Sequence, residues 1–420
     1  MTLSLSEPVR NTGLISGLML VIATVVGGGM FSLPVAMAGV WFPGASLILI
    51  AIALMMLMTG LMLVEVTLHF DIGASFNTFT RALLGKRWNL AVGLAFGFVL
   101  YILTYAYISG FSAVLSGSVE KYSGLTLSPR LAIILVSMAV AAIAWYSALL
   151  VGRITTVLIF GKFIAFFITF SGMTGTIQLD NLLDAASVAL PETHYLRYVL
   201  MTLPFCIISF GFHGNVPSLV KMYGKAHVHH VKNAIIMGTL FSLVLYLFWL
   251  AVTMGNISRA DFAPIVAKGG NIDVFVGALD GIMTGRYMTL ILTFFGNFAV
   301  ASSLLAATLG LFDYIADLFR FPNNAIGRAK TAVVTYLPPA AVCFFFPNGF
   351  VHAIGYAGLA FTLWSVILPP FLLKSARQRF PAPAWRAPCN NLLLNLVICC
   401  GAVVYLTVIL EVFGLLPVFH

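Results

Sequence analysis

Long stretches without charged residues constrain this chain more than any other feature. Residues 154–179 contain only Lys162, and eight further windows contain no Asp, Glu, Lys or Arg: residues 11–64, 88–119, 131–152, 198–220, 233–258, 287–312, 331–373 and 387–410. A helix needs about 20 apolar residues to cross the hydrocarbon core of a membrane. These runs are uniformly apolar and do not alternate between apolar and polar residues. They therefore predict spanning helices and exclude the strands of a membrane barrel.

The windows predict an all-α integral membrane protein with eleven spans. Two of them, residues 11–64 and 331–373, are long enough for two crossings, and each contains a turn signal: Trp41-Phe42-Pro43-Gly44 and Pro347-Asn348-Gly349. Hydrophobic residues make up 61% of the chain and charged residues 8%, whereas a soluble domain carries roughly 25% charged residues. This composition excludes soluble domains, including a nucleic-acid-binding domain.

Lysine and arginine predict the orientation in the membrane. If the amino terminus is cytoplasmic, most of the 22 basic residues fall in segments on the cytoplasmic side, and the carboxyl terminus is periplasmic. The net charge of +9 then reflects topology and not binding to nucleic acid. We divide the chain into a cytosolic tail (1–12), spans 1–5 (13–175), an external loop (176–198), spans 6–10 (199–374), and a cytosolic loop with span 11 (375–420).

Two spans contain helix-breaking residues at matching places. Span 1 contains Gly27–Gly29 followed by Pro34, and span 6 contains Gly211–Asn215 followed by Pro217. Glycine favours leaving the helix and proline removes an amide donor, so both spans are expected to unwind there. Because an offset of five spans reverses the direction of crossing, spans 1–5 and 6–10 are expected to form an inverted repeat, and paired breaks are typical of a transporter's midplane site.

The chemistry of such breaks suits a zwitterion. Unwound backbone in a membrane is tolerated where it lines a cavity. The N–H groups of the half-helix that starts near Met30 suit a carboxylate, and free carbonyls around Val26, Gly27 and Phe210 suit an ammonium. An amino acid carries both groups. The alternative is that these glycines and prolines only serve helix packing, as they often do in membranes.

Seven separated motifs resemble the bacterial aromatic amino acid permeases. They are GGGMFSLP (27–34), LYILTYAYIS (100–109), SFGFHGNVPSL (209–219), TMGNI (253–257), KGGNID (268–273), NFAVASS (297–303) and LGLFDYIADLF (309–319). HGNVPS, GGNID and NFAVASS are more similar to the tryptophan permeases than to the tyrosine permease. The resemblance covers nearly the whole chain.

The resemblance implies a secondary active transporter of the bacterial inner membrane that imports L-tryptophan with a proton. It also implies the LeuT-like five-plus-five fold of the amino acid–polyamine–cation superfamily. The coupling ion is expected to be a proton rather than sodium, and no cofactor or metal is expected. The expected partners are L-tryptophan and membrane lipid, and the expected state is a monomer.

The candidate substrate-binding residues lie at the two breaks and on spans 3 and 8. They are Gly27, Gly28, Gly29, Met30, Phe31, Ser32, Tyr101, Tyr105, Phe210, Gly211, Phe212, His213, Asn215 and Asn297. Aromatic side chains suit the substrate ring, and Ser302 and Ser303 could hold a polar group or face Lys162. Tyr107 points to a different face from Tyr101 and Tyr105. For each residue, packing in the core is the alternative.

Three ionisable residues are candidates for proton coupling. Lys162 lies at the middle of span 5, where a lone ammonium costs at least about 2.5–3.5 kcal/mol, and the resemblance places it where a lysine replaces a sodium ion. His213 lies in the second break, and histidine titrates near physiological pH. Glu65 lies near the end of span 2. A structural charge, backbone packing and an interfacial ion pair are the respective alternatives.

A cytosolic gate is predicted from Asp313 and Asp317, one helical turn apart at the end of span 8, together with Arg10 before span 1. A local ion pair with Arg320 is the alternative. Among other functions, an enzyme is not expected, because no HExxH, GxSxG or Walker pattern occurs. A channel would need a continuous polar lining, and an amino acid receptor could use the same pocket, so these two remain alternatives.

Overall fold

The chain is entirely helical where its structure is described. The computed structural model describes residues 13–72, 74–185, 195–282, 286–413, 415–417 and 419, and within these residues it contains no strand. The all-α class predicted from the charge-free windows is therefore confirmed.

Eighteen α-helices follow one another along these described residues. Those of the first half are α1 (Leu14–Val25), α2 (Ser32–Ala36), α3 (Trp41–Leu68), α4 (Phe76–Leu84), α5 (Lys86–Ser123), α6 (Pro129–Tyr146), α7 (Ala148–Met173) and α8 (Leu179–Leu182). Those of the second half are α9 (Val199–Ser209), α10 (Val216–Tyr223), α11 (Val228–Asn256), α12 (Arg259–Ala267), α13 (Ile272–Ile282), α14 (Arg286–Phe319), α15 (Ala325–Phe345), α16 (Phe350–Thr362), α17 (Leu368–Arg379) and α18 (Asn391–Val412).

Eight helices are long and apolar enough to cross a membrane. They are Trp41–Leu68, Lys86–Ser123, Pro129–Tyr146, Ala148–Thr176, Tyr195–Tyr223, Lys225–Asn256, Tyr287–Phe319 and Phe350–Arg379. The bent pair Leu14–Val25 and Gly28–Ala36 makes a ninth candidate. Helices α15 and α18, where the sequence predicts two more crossings, are not among these, so eleven spans remain a prediction. The chain is a multi-pass membrane protein.

Local sequence explains where several helices begin and end. The Ser128 hydroxyl accepts from the amide of Leu131, and Pro129 occupies the first turn of α6, where its missing N–H costs no hydrogen bond. Helix α5 ends at Gly124, whose φ of 69° is the left-handed conformation that glycine tolerates. The predicted turn at Pro347–Gly349 separates α15 from α16.

Both predicted breaks interrupt their helices. Helix α1 ends at Val25, and a 3₁₀ turn (Gly28–Phe31) leads into α2 with a bend of 45°. Helix α9 ends at Ser209, and a 3₁₀ turn (His213–Asn215) leads into α10. We call residues 26–31 the first break and residues 210–215 the second break.

The two interrupted helices lie in the middle of the helix bundle. Helix α1 packs on α11, α11 packs on α3, and α9 contacts both α3 and the first break. Helix α14 packs against α7 and α5, and α16 packs against α5 and α9. Met138, Ile164 and Leu396 are exposed apolar side chains on α6, α7 and α18, as expected of surfaces that face lipid.

The bundle has two ends, which we name by the start of α1. The first face is the end where α1 begins, and the Tyr223 hydroxyl at the end of α10 lies there, 3.1 Å from the Gly13 carbonyl oxygen. The second face is the opposite end, where Arg259 Nη2 donates to the Gly39 carbonyl at 2.8 Å.

Candidate binding site

Glycine at the first break lets two helices contact its backbone. The Gly28 amide donates to the Ser303 hydroxyl of α14 at 2.6 Å. A Cβ at Gly27 would lie 2.9 Å from Ser303 Oγ, and a Cβ at Gly28 would lie 3.0 Å from the Tyr107 ring. Any larger residue would therefore push α14 or α5 away from the first break.

The second break lies beside the first half of span 1. Asn215 Nδ2 donates to the Thr24 hydroxyl of α1 at 2.6 Å. The Ser209 carbonyl, the last of α9, accepts from the Tyr246 hydroxyl at 2.9 Å, and the same hydroxyl lies 2.7 Å from the Val25 carbonyl oxygen, the last of α1. The sequence did not identify Tyr246, which belongs to an uninterrupted apolar run of α11.

A central cavity of about 460 Å³ lies between the breaks. Its polar lining comes from backbone and from few side chains, including Lys162, Asn215, Ser302 and Ser303. The remaining lining is mostly apolar and aromatic. It consists of Leu20, Ala23, Thr24, Val25, Gly27, Gly29, Phe96, Val99, Leu100, Leu103, Tyr107, Ile159, Ile208, Ser209, Gly211, Gly214, Ala306, Ala307, Ile354, Phe361 and Trp364. Pockets for small molecules are typically about 300–1,000 Å³ and are lined in this way.

Lys162 is buried against the first break. Its side chain, with 2% of the residue exposed, places Nζ 2.5 Å from the Val26 carbonyl oxygen. Across the part of the chain that the structure describes, no carboxylate forms an ion pair with it. Lys162 therefore lies beside the unwound backbone of the first break, and its role in proton coupling stays a prediction.

The carbonyls that the sequence assigned to an ammonium already accept hydrogen bonds. Val26 accepts from Lys162, Gly27 accepts from the Met30 amide at 3.2 Å, and Phe210 accepts from the Phe212 amide at 3.0 Å. Partners of this kind cannot be read from sequence, because they come from a turn and from a distant helix.

The aromatic wall of the cavity differs from the expected one. Phe31, Phe210 and Phe212 are fully buried and do not line the cavity, and neither do Met30 and Ser32. Phe31 packs on Trp249 and Phe295, and Phe210 packs on Tyr246. A side chain that follows a break in a buried helix points back into the bundle as readily as into the cavity.

The rings that do line the cavity are Phe96, Tyr107, Phe361 and Trp364. Tyr107 lies on the face of α5 opposite to the expected tyrosines. Trp364 lies in a π-helical turn, Leu363–Ile367, a feature common at functional sites. The sequence of this turn, LWSVI, contains no glycine or proline that would mark it as irregular.

Tyr101, Tyr105 and Asn297 do not reach the central cavity. The hydroxyls of Tyr101 and Tyr105 donate to the carbonyls of Val334 and Phe346 at 2.9 and 2.8 Å. Both rings line a separate groove between α5, α15 and α16. Asn297 Nδ2 donates to Ser118 Oγ at 2.8 Å. These three expectations are wrong for this structure, because the period of the helix turns the side chains to another face.

His213 belongs to the second break, but its side chain is not part of the cavity lining. It is fully buried, its ring stacks on Phe212 at 4.6 Å, and Nε2 lies 2.8 Å from Thr59 Oγ1. The Thr59 hydroxyl also donates to the Met56 carbonyl at 3.1 Å. Nδ1 has no hydrogen-bond partner among the described residues. His213 does not line the central cavity, and its contact with substrate stays a prediction.

Glu65 is held in an ion pair instead of being free. Its fully buried carboxylate accepts from Arg377 Nε and Nη2 at 2.8 Å each, and from the Ala387 amide at 2.6 Å. Arg377 also donates to the carbonyls of Ala387 and Cys389 at 2.9 and 2.8 Å. This cluster ties α3 and α17 to the loop that precedes α18.

One predicted gate residue, Asp317, lines a second cavity, which we call the vestibule. The vestibule, about 730 Å³, is lined by residues of the first face such as Asn89, Lys221 and Asp317, and it shares Phe96, Gly214 and Trp364 with the central cavity. Asp313 is exposed. Arg10 lies outside the described residues, so its pairing with the aspartates stays a prediction.

The second face is covered by rings and by a buried ion pair. Phe31, Trp249 and Phe295 pack together above the first break, with ring centroids 5.4–6.0 Å apart. Farther out, Arg259 binds Asp184 at 3.1 Å, with 1% and 4% of the two side chains exposed. The central cavity therefore adjoins the first face and is closed toward the second.

The geometry is that of a multi-pass membrane protein with a cavity between two interrupted helices. The model of the tryptophan/tyrosine permease family matches residues 10–408, and the chain belongs to that family. It is therefore a member of a family of transporters and not an enzyme, as the sequence predicted.

Among similar proteins, some are named for tyrosine and others for tryptophan. The chain is 71% identical to a tyrosine permease of Enterobacter agglomerans over 97% of this chain and 98% of that protein. It is 46% identical to a tryptophan-specific transport protein of Shigella flexneri over 99% of this chain and 100% of that protein. It is 44% identical to a low affinity tryptophan permease of Escherichia coli strain K12 over 96% of this chain and 97% of that protein.

Proposed function

We propose that this protein imports an aromatic amino acid, with tryptophan as substrate, across the bacterial inner membrane together with a proton. The observation that carries the proposal is the cavity of about 460 Å³ where two interrupted helices meet, beside a buried lysine. The family of permeases supports import of an amino acid. The rings of Phe96, Tyr107 and Trp364 offer a wall for an aromatic side chain.

Tyrosine is a second candidate substrate. The tyrosine permease relative shares 71% of its residues with this chain, and the tryptophan transport relatives share 44–46%. Both amino acids carry one polar group on an aromatic ring, so the mostly apolar wall suits either. Competition between labelled tryptophan and tyrosine decides between them.

The substrate zwitterion would be oriented by the first break and by Tyr107. The positive end of the second half-helix attracts the carboxylate. The Tyr107 ring lies beside Gly28 and its hydroxyl lies beside Gly29, where the hydroxyl can donate to the same carboxylate. Gly27, Gly211 and Asn215 complete this part of the cavity.

Eleven spans in a LeuT-like inverted repeat would explain the paired breaks. Residues 13–175 would form spans 1–5, residues 199–374 spans 6–10, and α18 the eleventh span. The interruptions of α1 and α9 and their contact in the middle of the bundle support this arrangement. The excess of basic residues on the first face supports a cytoplasmic amino terminus and a periplasmic carboxyl terminus. A monomer would suffice, because one chain encloses the cavity.

Lys162 would carry the coupling proton. Its ammonium binds the Val26 carbonyl at the first break, so its loss of a proton would loosen the same backbone that holds substrate. With a lysine in this place, sodium is not needed. Glu65 and His213 are weaker candidates, since Arg377 holds Glu65 and His213 lies outside the cavity lining.

Alternating access would connect the cavity to each face in turn. The cavity adjoins the vestibule through Phe96 and Trp364, whereas rings and the Arg259–Asp184 pair close the second face. Arg10, Asp313 and Asp317 would form the cytoplasmic gate. A channel is less favoured, because the lining is mostly apolar. A receptor would bind the amino acid without saturable uptake.

Uptake into proteoliposomes tests the proposal. Purified protein is reconstituted, a pH gradient is imposed, and accumulation of labelled tryptophan, tyrosine and phenylalanine is measured with and without a protonophore. Saturable accumulation that the protonophore abolishes is expected. Binding without accumulation would indicate a receptor, and accumulation driven only by sodium would contradict proton coupling.

A further inference from the structure

A third cavity, of about 610 Å³, lies beside the loop that joins α17 to α18. We call it the basic pocket, and it is lined by Arg377, Arg386, Ala387, Pro388, Cys389, Asn390 and Leu393. It shares no residue with the central cavity or with the vestibule. The basic pocket is therefore separate from the site of the proposed function.

Arg377 is fixed in direction and still has a free donor. Glu65, near the end of α3 at the first face, accepts from Nε and Nη2 at 2.8 Å each. The carbonyls of Ala387 and Cys389 accept from Nη2 and Nη1. A guanidinium has five N–H groups, so these four hydrogen bonds leave one N–H on Nη1. Because 25% of the side chain is exposed, Arg377 can donate this N–H to a ligand in the pocket.

Arg386 adds a second guanidinium to the same pocket. Its side chain is exposed, and no ion pair holds it within the part of the chain that the structure describes. The Asn390 side chain caps α18 by accepting from the Leu393 amide at 2.9 Å, so the positive end of this helix dipole lies at the pocket as well. Two guanidiniums suit a phosphate, because each can bind two of its oxygens at once.

The surroundings of the basic pocket carry more positive than negative charge. Burial lowers the pKa of His69, the residue after α3, and Glu65 raises it. Arg386, Lys225 and Arg377 lower the pKa of His69 further. Three cations and one carboxylate thus act at this place, and the carboxylate is already bound to Arg377. The pocket therefore favours a ligand with net negative charge over a zwitterion.

An exposed apolar surface begins next to the basic pocket. Leu392 and Leu396, one turn apart on α18, are 77% and 58% exposed. Trp385 precedes Arg386, and its ring lies 5.3 Å from Lys232 Nζ; tryptophan is enriched where a membrane meets water. A phosphate that carries hydrocarbon chains matches both surfaces, whereas a free phosphate would use only the arginines.

We propose that the basic pocket binds the phosphate of an anionic phospholipid, whose acyl chains lie along α18. Arg377 and Arg386 donate to the phosphate oxygens, and the exposed leucines of α18 contact the chains. Basic pockets between membrane helices bind anionic lipid headgroups in this way. Because Arg377 also ties α3 to the loop before α18, the bound lipid stabilises the packing of α18 on the bundle.

Thermal unfolding in a neutral detergent tests the proposal. The unfolding midpoint of the purified protein is followed during titration with phosphatidylglycerol, with phosphatidylcholine and with inorganic phosphate. Arg386→Gln removes the exposed guanidinium, and its midpoint without lipid shows whether the variant folds like the native protein. Arg153→Gln is the matched control, because Arg153 is an exposed arginine of α7 that does not line the pocket.

We expect phosphatidylglycerol to raise the midpoint of the native protein until the pocket is saturated, because a ligand of the folded state stabilises it. In Arg386→Gln the half-saturating concentration should rise about tenfold, the scale of one hydrogen bond to a charged group. Arg153→Gln should respond like the native protein. Phosphatidylcholine, which has no net charge, should stabilise none of the three proteins.

Several results would overturn the proposal. If phosphatidylglycerol stabilises none of the three proteins, or all of them with the same half-saturation, the basic pocket does not bind it. Equal stabilisation by phosphatidylcholine would show that the charge of the headgroup is not recognised. If inorganic phosphate stabilises the protein through Arg386 and phosphatidylglycerol does not, the pocket binds free phosphate and the assignment to a lipid is wrong.

Discussion

Replacement of Lys162 by glutamine separates proton coupling from substrate binding. The glutamine amide can still donate to the Val26 carbonyl, which lies 2.5 Å from Nζ in the native protein, but it cannot take up or release a proton. Lys162 is buried and pairs with no carboxylate in the described parts of the chain. One ammonium therefore accounts for one proton.

The magnitude follows from that single charge. One proton gains about 2.3 kcal/mol across 100 mV and about 1.4 kcal/mol for each pH unit. Together these gradients support accumulation of roughly 400-fold, at about 1.4 kcal/mol for each factor of ten. Without a titrating group the same gradients do no work on the substrate, and accumulation should fall to about the external concentration.

Proteoliposomes measure both functions in one preparation. With 100 mV and one pH unit imposed, Lys162→Gln should fail to accumulate substrate, while exchange of labelled for unlabelled substrate across the membrane continues. Arg153→Gln is the matched control, since it removes an exposed charge from the same helix and should accumulate normally. If Lys162→Gln still accumulates substrate several hundred-fold, the assignment of the proton to Lys162 is refuted.

Three other substitutions test the geometry. Ser303→Ala removes the acceptor of the buried Gly28 amide. We therefore expect a loss of about 1–3 kcal/mol in unfolding free energy and about a tenfold rise in KM for uptake. An unchanged KM would show that the contact of α14 with the first break does not contribute to substrate binding. Arg377→Met leaves the Glu65 carboxylate buried without its partner, so thermal unfolding in detergent should show a loss of about 3–5 kcal/mol. Adding Glu65→Gln should recover part of that loss, and no recovery would argue against the ion pair as its cause. Tyr101→Phe should keep KM for uptake within about twofold of the wild-type value, because the Tyr101 hydroxyl donates to the Val334 carbonyl outside the cavity. A large rise in KM would indicate that Tyr101 contacts substrate.

Much of the fold follows from features that sequence carries locally. Charge-free windows of about 20 residues require helices in a membrane, because lipid offers backbone groups no partner. The turn at Pro347–Gly349 and the helix breaks at Gly27–Gly29 and Gly211–Asn215 come from residues that disfavour helix wherever they occur. Each of these predictions is present in the structure.

Contact residues were harder to predict, and the tyrosines of α5 show why. Tyr101, Tyr105 and Tyr107 have the same side chain and lie within two turns of one helix, so the sequence alone does not distinguish them. Rotation of α5 about its axis decides that Tyr107 faces the cavity and that Tyr101 and Tyr105 face α15 and α16. That rotation is set by packing against α14 and α16, far away in sequence.

The amino-acid sequence by itself determined that the chain is helical and membrane-spanning and that two helices break. These properties depend on hydropathy and on the conformations open to glycine and proline, which are local. Only the tertiary structure decided which side chains line the central cavity: Trp364 and Tyr107 do, and His213 does not. It also decided that the Tyr246 hydroxyl contacts the ends of two helices. Such contacts join residues as far apart as Val25 and Tyr246, and their geometry exists only once the helices have packed.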